Sequence, residues 1–300
     1  MARNLVLEED PALEEDPSAG SERPRLVRMR GGGWSRIWRS RYLPVVSTPI
    51  IIVLAVLAWN IYTGVSHISP LVLPPPLAVW KAFLNEITQP YIWSQDILVT
   101  FEETIIGFAV GFIIGVGAGY FMGKFRPIEM VGNPFVVASQ VVPKVALIPL
   151  FILWFGFGLT SKVAVAAMLA FFPLLTNTSF GVRSVPPSMQ EMMTSLQASP
   201  WQRFRRLELP HTLPYIFAGS EIGMVLAVIG AIVAEYLAGD HGLGRLAIDL
   251  QNNLQIPQLY GSILIMTLFG FVLYLAVSLP KRFLIPWHES VLIRQQRDRL

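Results

Sequence analysis

The 300-residue chain is 53% hydrophobic and 14% charged, with a mean hydropathy of +0.52; a soluble domain carries about 25% charged residues, so the composition describes a polytopic membrane protein. The absence of cysteine excludes disulfides, thiol catalysis and cysteine metal centres. The net charge of +3 does not mark a nucleic-acid binder, because the basic residues are sorted along the chain by membrane side.

Residues 1–42 lack the basic start and apolar core of a secretory signal. The stretch from Glu8 to Asp16 is acidic and is followed by a basic run (Arg23, Arg25, Arg28, Arg30, Arg36, Arg39, Arg41). This predicts a disordered cytosolic tail whose basic end lies on anionic headgroups.

A helix needs about 20 apolar residues to cross the bilayer. Six stretches qualify, at 43–62, 104–122, 134–155, 163–180, 213–237 and 260–279. Pro143, Lys144 and Pro149 interrupt the third, and Glu221 and Glu235 lie within the fifth. With the amino terminus in the cytosol, the outside loops hold only Lys81, Lys162 and Arg245, and nearly all other Lys and Arg fall inside. The positive-inside rule therefore places both termini in the cytosol of a multi-pass plasma or inner membrane protein.

The second span carries Gly107, Gly111, Gly115, Gly119 and Gly123. Steps of four residues drift about 40° each, which makes a slanting groove for a closely packed helix, expected within the same subunit. The outside loop 66–100 is stiffened by Leu73-Pro-Pro-Pro76. Residues 76–86 then form a short amphipathic helix with Trp80 and Phe83 toward the membrane.

No phosphate-binding Gly-x-x-x-x-Gly-Lys-Ser/Thr loop, HExxH pair or nucleophile elbow is present, so the chain is not expected to hydrolyse ATP or to be an enzyme. His67, His211, His241 and His288 show no ligand spacing, and neither a metal nor a cofactor is expected. The membrane acids and bases read from the sequence are Lys144, Glu221 and Glu235, few for an ion-coupled secondary transporter, which is the rival class. Lys144, beside Pro143, would cost about 2.5–3.5 kcal/mol facing lipid. It is expected to face a pore, a carboxylate such as Glu235, or a membrane surface.

Between the fourth and fifth spans lies a polar island, 191–210. Met189, Met192, Met193 and Leu196 form an apolar patch. Ser199-Pro200 reads as an N-cap and first helical residue. Trp201, Phe204 and Leu207 share one face of a second short helix, opposite Arg203, Arg205 and Arg206. Two short helices with these faces suit a groove on a soluble partner.

With Leu207-Glu-Leu-Pro210 closing the island and Glu191 opening it, the sequence resembles the permease subunits of type I ABC importers, which carry a Glu-Ala-Ala-x-x-x-Gly loop. Met192 and Met193 replace the alanines, and Gln197 replaces the glycine. The segments 143–158, 181–186, 213–219 and 233–244 resemble the nitrate/sulfonate/taurine branch. Pro143-Lys-Val-Ala, Arg183-Ser-Val-Pro-Pro187, Ala198-Ser-Pro-Trp and Pro286-Trp-His288 resemble permeases for thiamine-pyrimidine precursors and riboflavin.

The resemblance implies an all-α fold of six transmembrane helices with a cytoplasmic coupling helix. It implies a tail over 1–42, a first span over 43–62, an extracytoplasmic loop over 63–103, a permease core over 104–285 with its coupling loop at 186–210, and a tail over 286–300. It further implies a permease homodimer, a separate ATP-binding cassette subunit, an extracytoplasmic substrate-binding protein, membrane lipid around the spans, and no nucleic acid. The cargo implied is riboflavin, with a thiamine-pyrimidine precursor or a sulfonate- or nitrate-type anion as alternatives. Glu191, Ser195 and Ala198 are then expected at the ATPase contact, with Trp201 and Phe204 as anchors. Arg203 or Arg206 is expected to pair with ATPase carboxylates or lipid headgroups. Pro143, Lys144, Asn177 and Glu235 are the candidates for the translocation path.

Overall fold

The computed structural model describes residues 43–66 and 68–285. The expected tails, 1–42 and 286–300, lie outside the described residues. The chain divides after Leu57 into two units. The described part of the first belongs to helix α1 (Leu43–Val65). In the second unit follow α2 (Pro76–Ile87), α3 (Pro90–Lys124), α4 (Arg126–Val141), α5 (Ile148–Phe155), α6 (Leu159–Arg183), α7 (Pro187–Ser195), α8 (Pro200–Ala238), α9 (Leu243–Asn252) and α10 (Ile256–Ser278). No strand occurs among the described residues. Five helices, α1, α3, α6, α8 and α10, are long and apolar enough to cross a membrane; α4 and the segment Lys144–Phe155 make a sixth if that bent pair is one span. The all-α, polytopic expectation holds.

The glycine ladder of α3 lies against α6, within the same chain. A Cβ on Gly107 would come 2.5 Å from the Ala166 Cβ, one on Gly111 2.7 Å from the Ala167 carbonyl oxygen, and one on Gly119 2.5 Å from the Leu175 carbonyl oxygen. The two backbones therefore touch, which only a column of missing side chains permits. The neighbouring Gly117 faces open space. The α6 residues that meet the ladder, Ala166, Ala170 and Leu174, also pack on Ala227 and Ala231 of α8, with Phe108 and Phe112 of α3 completing the cluster. Helices α3, α6 and α8 thus pack mutually, with Ile105 and Phe108 of α3 also reaching Met224 and Val228 of α8. Met224 and Val228 of α8 then meet Leu273 of α10.

The expected third span, 134–155, is not one straight helix. It breaks after Val141 and turns through 89°. The residue before a proline is pushed out of the helical region, and Val142 is extended (φ −67°, ψ 126°) ahead of Pro143. A 3₁₀ turn, Lys144–Leu147, then leads into α5, with Pro149 in its first turn where no N–H is needed.

The fifth span also departs from expectation. It does not begin at 213 after a separate short helix, but runs unbroken over Pro200–Ala238. At ~1.5 Å per residue that is about 58 Å, nearly twice the ~30 Å hydrocarbon thickness. Proline lacks an N–H and collides with the carbonyl four residues back. Here the turn before Pro210 is widened to a π turn, Phe204–Glu208, which passes the proline without ending the helix.

Helix α2 forms as expected, but it docks on α10 rather than lying free. Val79, Ala82 and Glu86 are buried, and a Cβ on Gly261 would reach 2.9 Å from the Phe83 amide nitrogen and 3.0 Å from Glu86 Oε2. Trp80 is half exposed and stacks on Phe83 at 5.3 Å. Both Glu86 carboxylate oxygens lack a hydrogen-bond partner. Burial pushes this carboxyl from 4.5 up to about 7.

Two outcomes follow from this packing. Gly119→Ala should lower stability by about 1–3 kcal/mol through overpacking, whereas Gly117→Ala should be neutral or stabilising by up to ~1 kcal/mol. Equal thermal midpoints for the two variants in detergent would contradict the seam. For Glu86, the folded form holds its proton where the unfolded form has lost it. Stability contributed by this site therefore falls as pH rises from about 4.5 to about 7 and stays low above. Glu86→Gln should then gain roughly 2 kcal/mol over the native chain at pH 8 and almost nothing at pH 4.5; a gain independent of pH would refute the account.

Candidate functional site

The polar island folds as a tight helix–turn–helix. Helix α7 ends in two bonds that cross over: the Ala198 N–H donates to the Met193 carbonyl at 3.0 Å, and the Gln197 N–H to the Thr194 carbonyl at 2.9 Å. This closure requires its penultimate residue in the left-handed region, and Gln197 has φ +51°. The chain thus keeps the backbone of a glycine turn with a glutamine in it. Ser199 then caps α8 as expected. Its hydroxyl accepts the Gln202 N–H at 3.3 Å, and the Gln202 side-chain oxygen accepts the Ser199 N–H at 2.9 Å, a reciprocal capping box.

The residues expected at a partner contact are gathered on this turn. Glu191 and Ser195 are exposed and Ala198 is half-buried; the Ser195 hydroxyl donates to the Glu191 carbonyl at 3.1 Å. Arg203 Nε donates to the Ala198 carbonyl at 3.1 Å, so Arg203 fastens the turn from within the chain. Of the expected methionine patch, Met193 is buried while Met189, Met192 and Leu196 stay exposed. Trp201 is 65% exposed and lies 5.5 Å from Phe204, whose ring meets Tyr120 of α3 edge-on at 5.4 Å.

The expected path residues do not form one cluster. Lys144 Nζ sits over the Phe172 ring at 4.9 Å; it is half-buried, and the pair with Glu235 considered from sequence is not formed. Pro143 is exposed at the bend. Asn177 donates to the Pro173 carbonyl at 2.8 Å, and its Cβ lies 3.0 Å from where a side chain on Gly219 would begin.

Glu235 has a different task. It is fully buried at the end of the three packed helices opposite the loop. Its Oε2 accepts the Gly244 N–H at 2.7 Å, and its Oε1 accepts the Thr100 hydroxyl at 2.6 Å. Thr100 Oγ1 in turn accepts the Leu243 N–H at 2.9 Å, and Asp96 Oδ1 accepts the Gly242 N–H at 3.3 Å. The first amides of α9, which have no helical partner, are thereby satisfied by side chains of α3 and α8. Gly242, at φ +111°, allows this: a Cβ there would fall 2.3 Å from the Glu235 carboxyl carbon.

Beside Glu235 the structure places a pair that sequence reasoning missed. Lys162, read as an outside-loop residue, lies in the first turn of α6 and donates to Glu103 Oε1 at 2.7 Å, with both side chains buried. At the loop end, Glu208 binds Tyr120 and Lys124, and Arg183 pairs with Glu129. The set of ionisable groups that tie helices together is therefore larger than Lys144, Glu221 and Glu235. Glu103 and Lys162 each fall one residue before an expected span, 104–122 and 163–180, where span-by-hydropathy reading cuts them off.

Gln197→Gly should relieve the left-handed penalty of about 1 kcal/mol and raise hydrogen-exchange protection of the α7 turn roughly fivefold. Unchanged protection would mean that the turn is not strained.

Against this geometry the comparisons with known proteins are consistent. Residues 111–288 match the family described as binding-protein-dependent transport system inner membrane component. The chain is 35% identical to the riboflavin transport system permease protein of Chloroflexus aurantiacus, over 82% of this chain and 92% of the relative. It is 32% identical to the formylaminopyrimidine transport permease protein of Halalkalibacterium halodurans, over 71% and 93%. A solved structure of the MetNI methionine ABC transporter in inward-facing conformations shares the fold at a TM-score of 0.57 and 18% identity, covering 66% of this chain and 99% of that one. The chain belongs to the binding-protein-dependent transport family and is an ABC importer permease.

Proposed function

We propose that this permease imports riboflavin, delivered by an extracytoplasmic binding protein and driven by separate ATP-binding cassette subunits that grip the 187–210 turn. The cargo reading is carried by the 35% identity to a riboflavin permease across most of both chains. The formylaminopyrimidine permease at 32% identity supports a second reading, a thiamine-pyrimidine precursor, with the same architecture. In this arrangement the turn and both termini face the cytosol, and the Glu235 brace lies on the outer side.

The turn is suited to its task because it is stiff and exposed together. Its two helix ends are bonded across a single reversal at Gln197, while Glu191, Met192, Leu196 and Trp201 remain open to a partner. A loose loop would absorb a push that a braced one transmits. Glu191, Ser195 and Ala198 would meet the ATPase groove, Trp201 and Phe204 would seat the turn against α3, and Arg203 would hold its shape. Arg206, exposed on the same helix, is left for headgroups or ATPase carboxylates.

For the path, Pro143, Lys144 and Asn177 remain the proposed contacts. Lys144 is half-buried on an aromatic ring and has no carboxylate beside it among the described residues, so it offers a cation to a passing solute. The bent α4–α5 pair supplies the wall: α4 buries none of its residues and α5 only Ile148. Together they present a long unpaired surface to a second copy of the chain, across which a two-fold pore would form.

Uptake of labelled riboflavin into vesicles holding this chain, its ATPase and its binding protein should require ATP and be blocked by unlabelled flavin. A formylaminopyrimidine blocking instead would transfer the cargo to the second reading. Glu191→Lys should abolish ATPase co-purification and cut uptake by about tenfold or more while leaving the thermal midpoint unchanged. Full uptake by that variant, or uptake without ATP, would overturn the docking account.

A further inference from the structure

Below the turn, α8 does not pack tightly on α3. A cavity of about 260 Å³ separates them, lined by Val116, Tyr120, Thr178, Phe204, Thr212 and Ile216. The helix there is the π turn Phe204–Glu208, a wider and less regular stretch than the α-helix on either side. At this level α8 packs closely on α6, where a Cβ on Gly181 would meet Thr212 and Tyr215, but toward α3 its packing is interrupted by the cavity except at the Phe204–Tyr120 ring contact.

One polar junction crosses the gap. The Tyr120 hydroxyl donates to Glu208 Oε2 at 2.5 Å. Lys124 Nζ donates to both Glu208 oxygens, at 3.1 and 3.0 Å, and to the Tyr120 hydroxyl at 2.7 Å. Glu208 is the last residue of the π turn, and Tyr120 and Lys124 lie one turn apart at the end of α3. Charge-assisted bonds of this kind are short and directional. The rings of Trp201, Phe204 and Tyr120 run alongside the junction.

We propose that Glu208 is a positioning residue that clamps the base of the coupling turn to α3, so that displacement of the turn is delivered to α3 as well as to α6, against which α8 packs directly. The clamp supplements the covalent route along α8, which passes through the π turn. This inference rests on the reading that an ATPase grips the 187–210 turn. It adds which second helix receives the motion, and through which atoms. Tyr120 and Lys124 share the role, and loss of any one member weakens the other two contacts.

The test separates the clamp from the importer reading. The chain has no cysteine, so spin labels at Leu196→Cys and Phe121→Cys, both exposed in the native chain, report the distance between turn and α3 in the full chain without any partner. The native distribution should be narrow and should broaden in Glu208→Gln. An unchanged distribution overturns the clamp. In vesicles with ATPase and binding protein, Glu208→Gln should keep ATPase co-purification and hydrolysis within about twofold. It should lower uptake by about tenfold, which raises ATP spent per solute by the same factor.

Tyr120→Phe should show a smaller loss of the same kind, and the exchange Lys124→Glu with Glu208→Lys should restore most of the uptake. Uptake and hydrolysis falling together with lost assembly would show a merely structural residue and overturn the proposal, as would undiminished uptake. A broadened distance in Glu208→Gln, with no ATP-driven uptake by the native chain, would uphold the clamp and remove only the importer mechanism above it.

Discussion

The seam between α3 and α6 is the contact on which the rest of the structure depends. Inside a bilayer, helices gain little from hiding apolar side chains from one another, since lipid is equally apolar. What remains is van der Waals contact, which grows as backbones approach. Five glycines at four-residue spacing bring α3 onto α6 along the whole length from Gly107 to Gly123. The small residues of α6 do the same toward α8, where Ala166 and Ala170 meet Ala227 and Ala231. The α3–α6 and α6–α8 contacts are close-packed, and the cavity beneath the turn opens between α3 and α8.

Polar contacts at the two ends of these three helices differ in kind. Opposite the turn, Lys162, Glu103, Thr100 and Glu235 are buried and interlocked. Breaking a buried pair leaves an uncompensated charge and costs about 3–5 kcal/mol, so this end holds together. At the turn end, Arg183 is 39% exposed in its pair with Glu129, while Glu208, 17% exposed, is held by Tyr120 and Lys124 together. The exposed Arg183–Glu129 pair is worth about 0–1 kcal/mol and can rearrange. The three helices are therefore held by buried contacts at one end and by a part-buried junction beside one adjustable pair at the other.

The sequence carried much of this plainly and some of it not at all. Helix identity was legible because α3, α6, α8 and α10 are long apolar runs, and the glycine spacing correctly implied close packing within the chain. The N-cap at Ser199 was legible from Ser-Pro alone. The bend at Val142 was only half legible: Pro143 and Pro149 marked irregularity, but nothing local fixes an 89° turn. The fate of Pro210 was misread because proline usually ends a helix, and the widening that rescues it is a cooperative property of the turn before it. Lys162 with Glu103 was invisible for a different reason. The two are 59 residues apart, and hydropathy trims charged residues from span ends, where buried pairs of this kind sit.

The departures of the turn from its family pattern have separate physical meanings. At Gln197 the backbone conformation is retained and only the residue best suited to it is lost, so the change bears on the stability of the turn and not on its shape. Met193 is buried and Met192 is more than half exposed, although both replace alanine. The larger side chain at 193 fills space beneath the turn, within this chain. The one at 192 projects outward beside Leu196, where it adds apolar surface that an alanine would not present. A groove shaped for two alanines would collide with Met192, whereas Met193 would never reach it. A partner that receives this turn, as proposed, would need a matching change at one position and not at its neighbour.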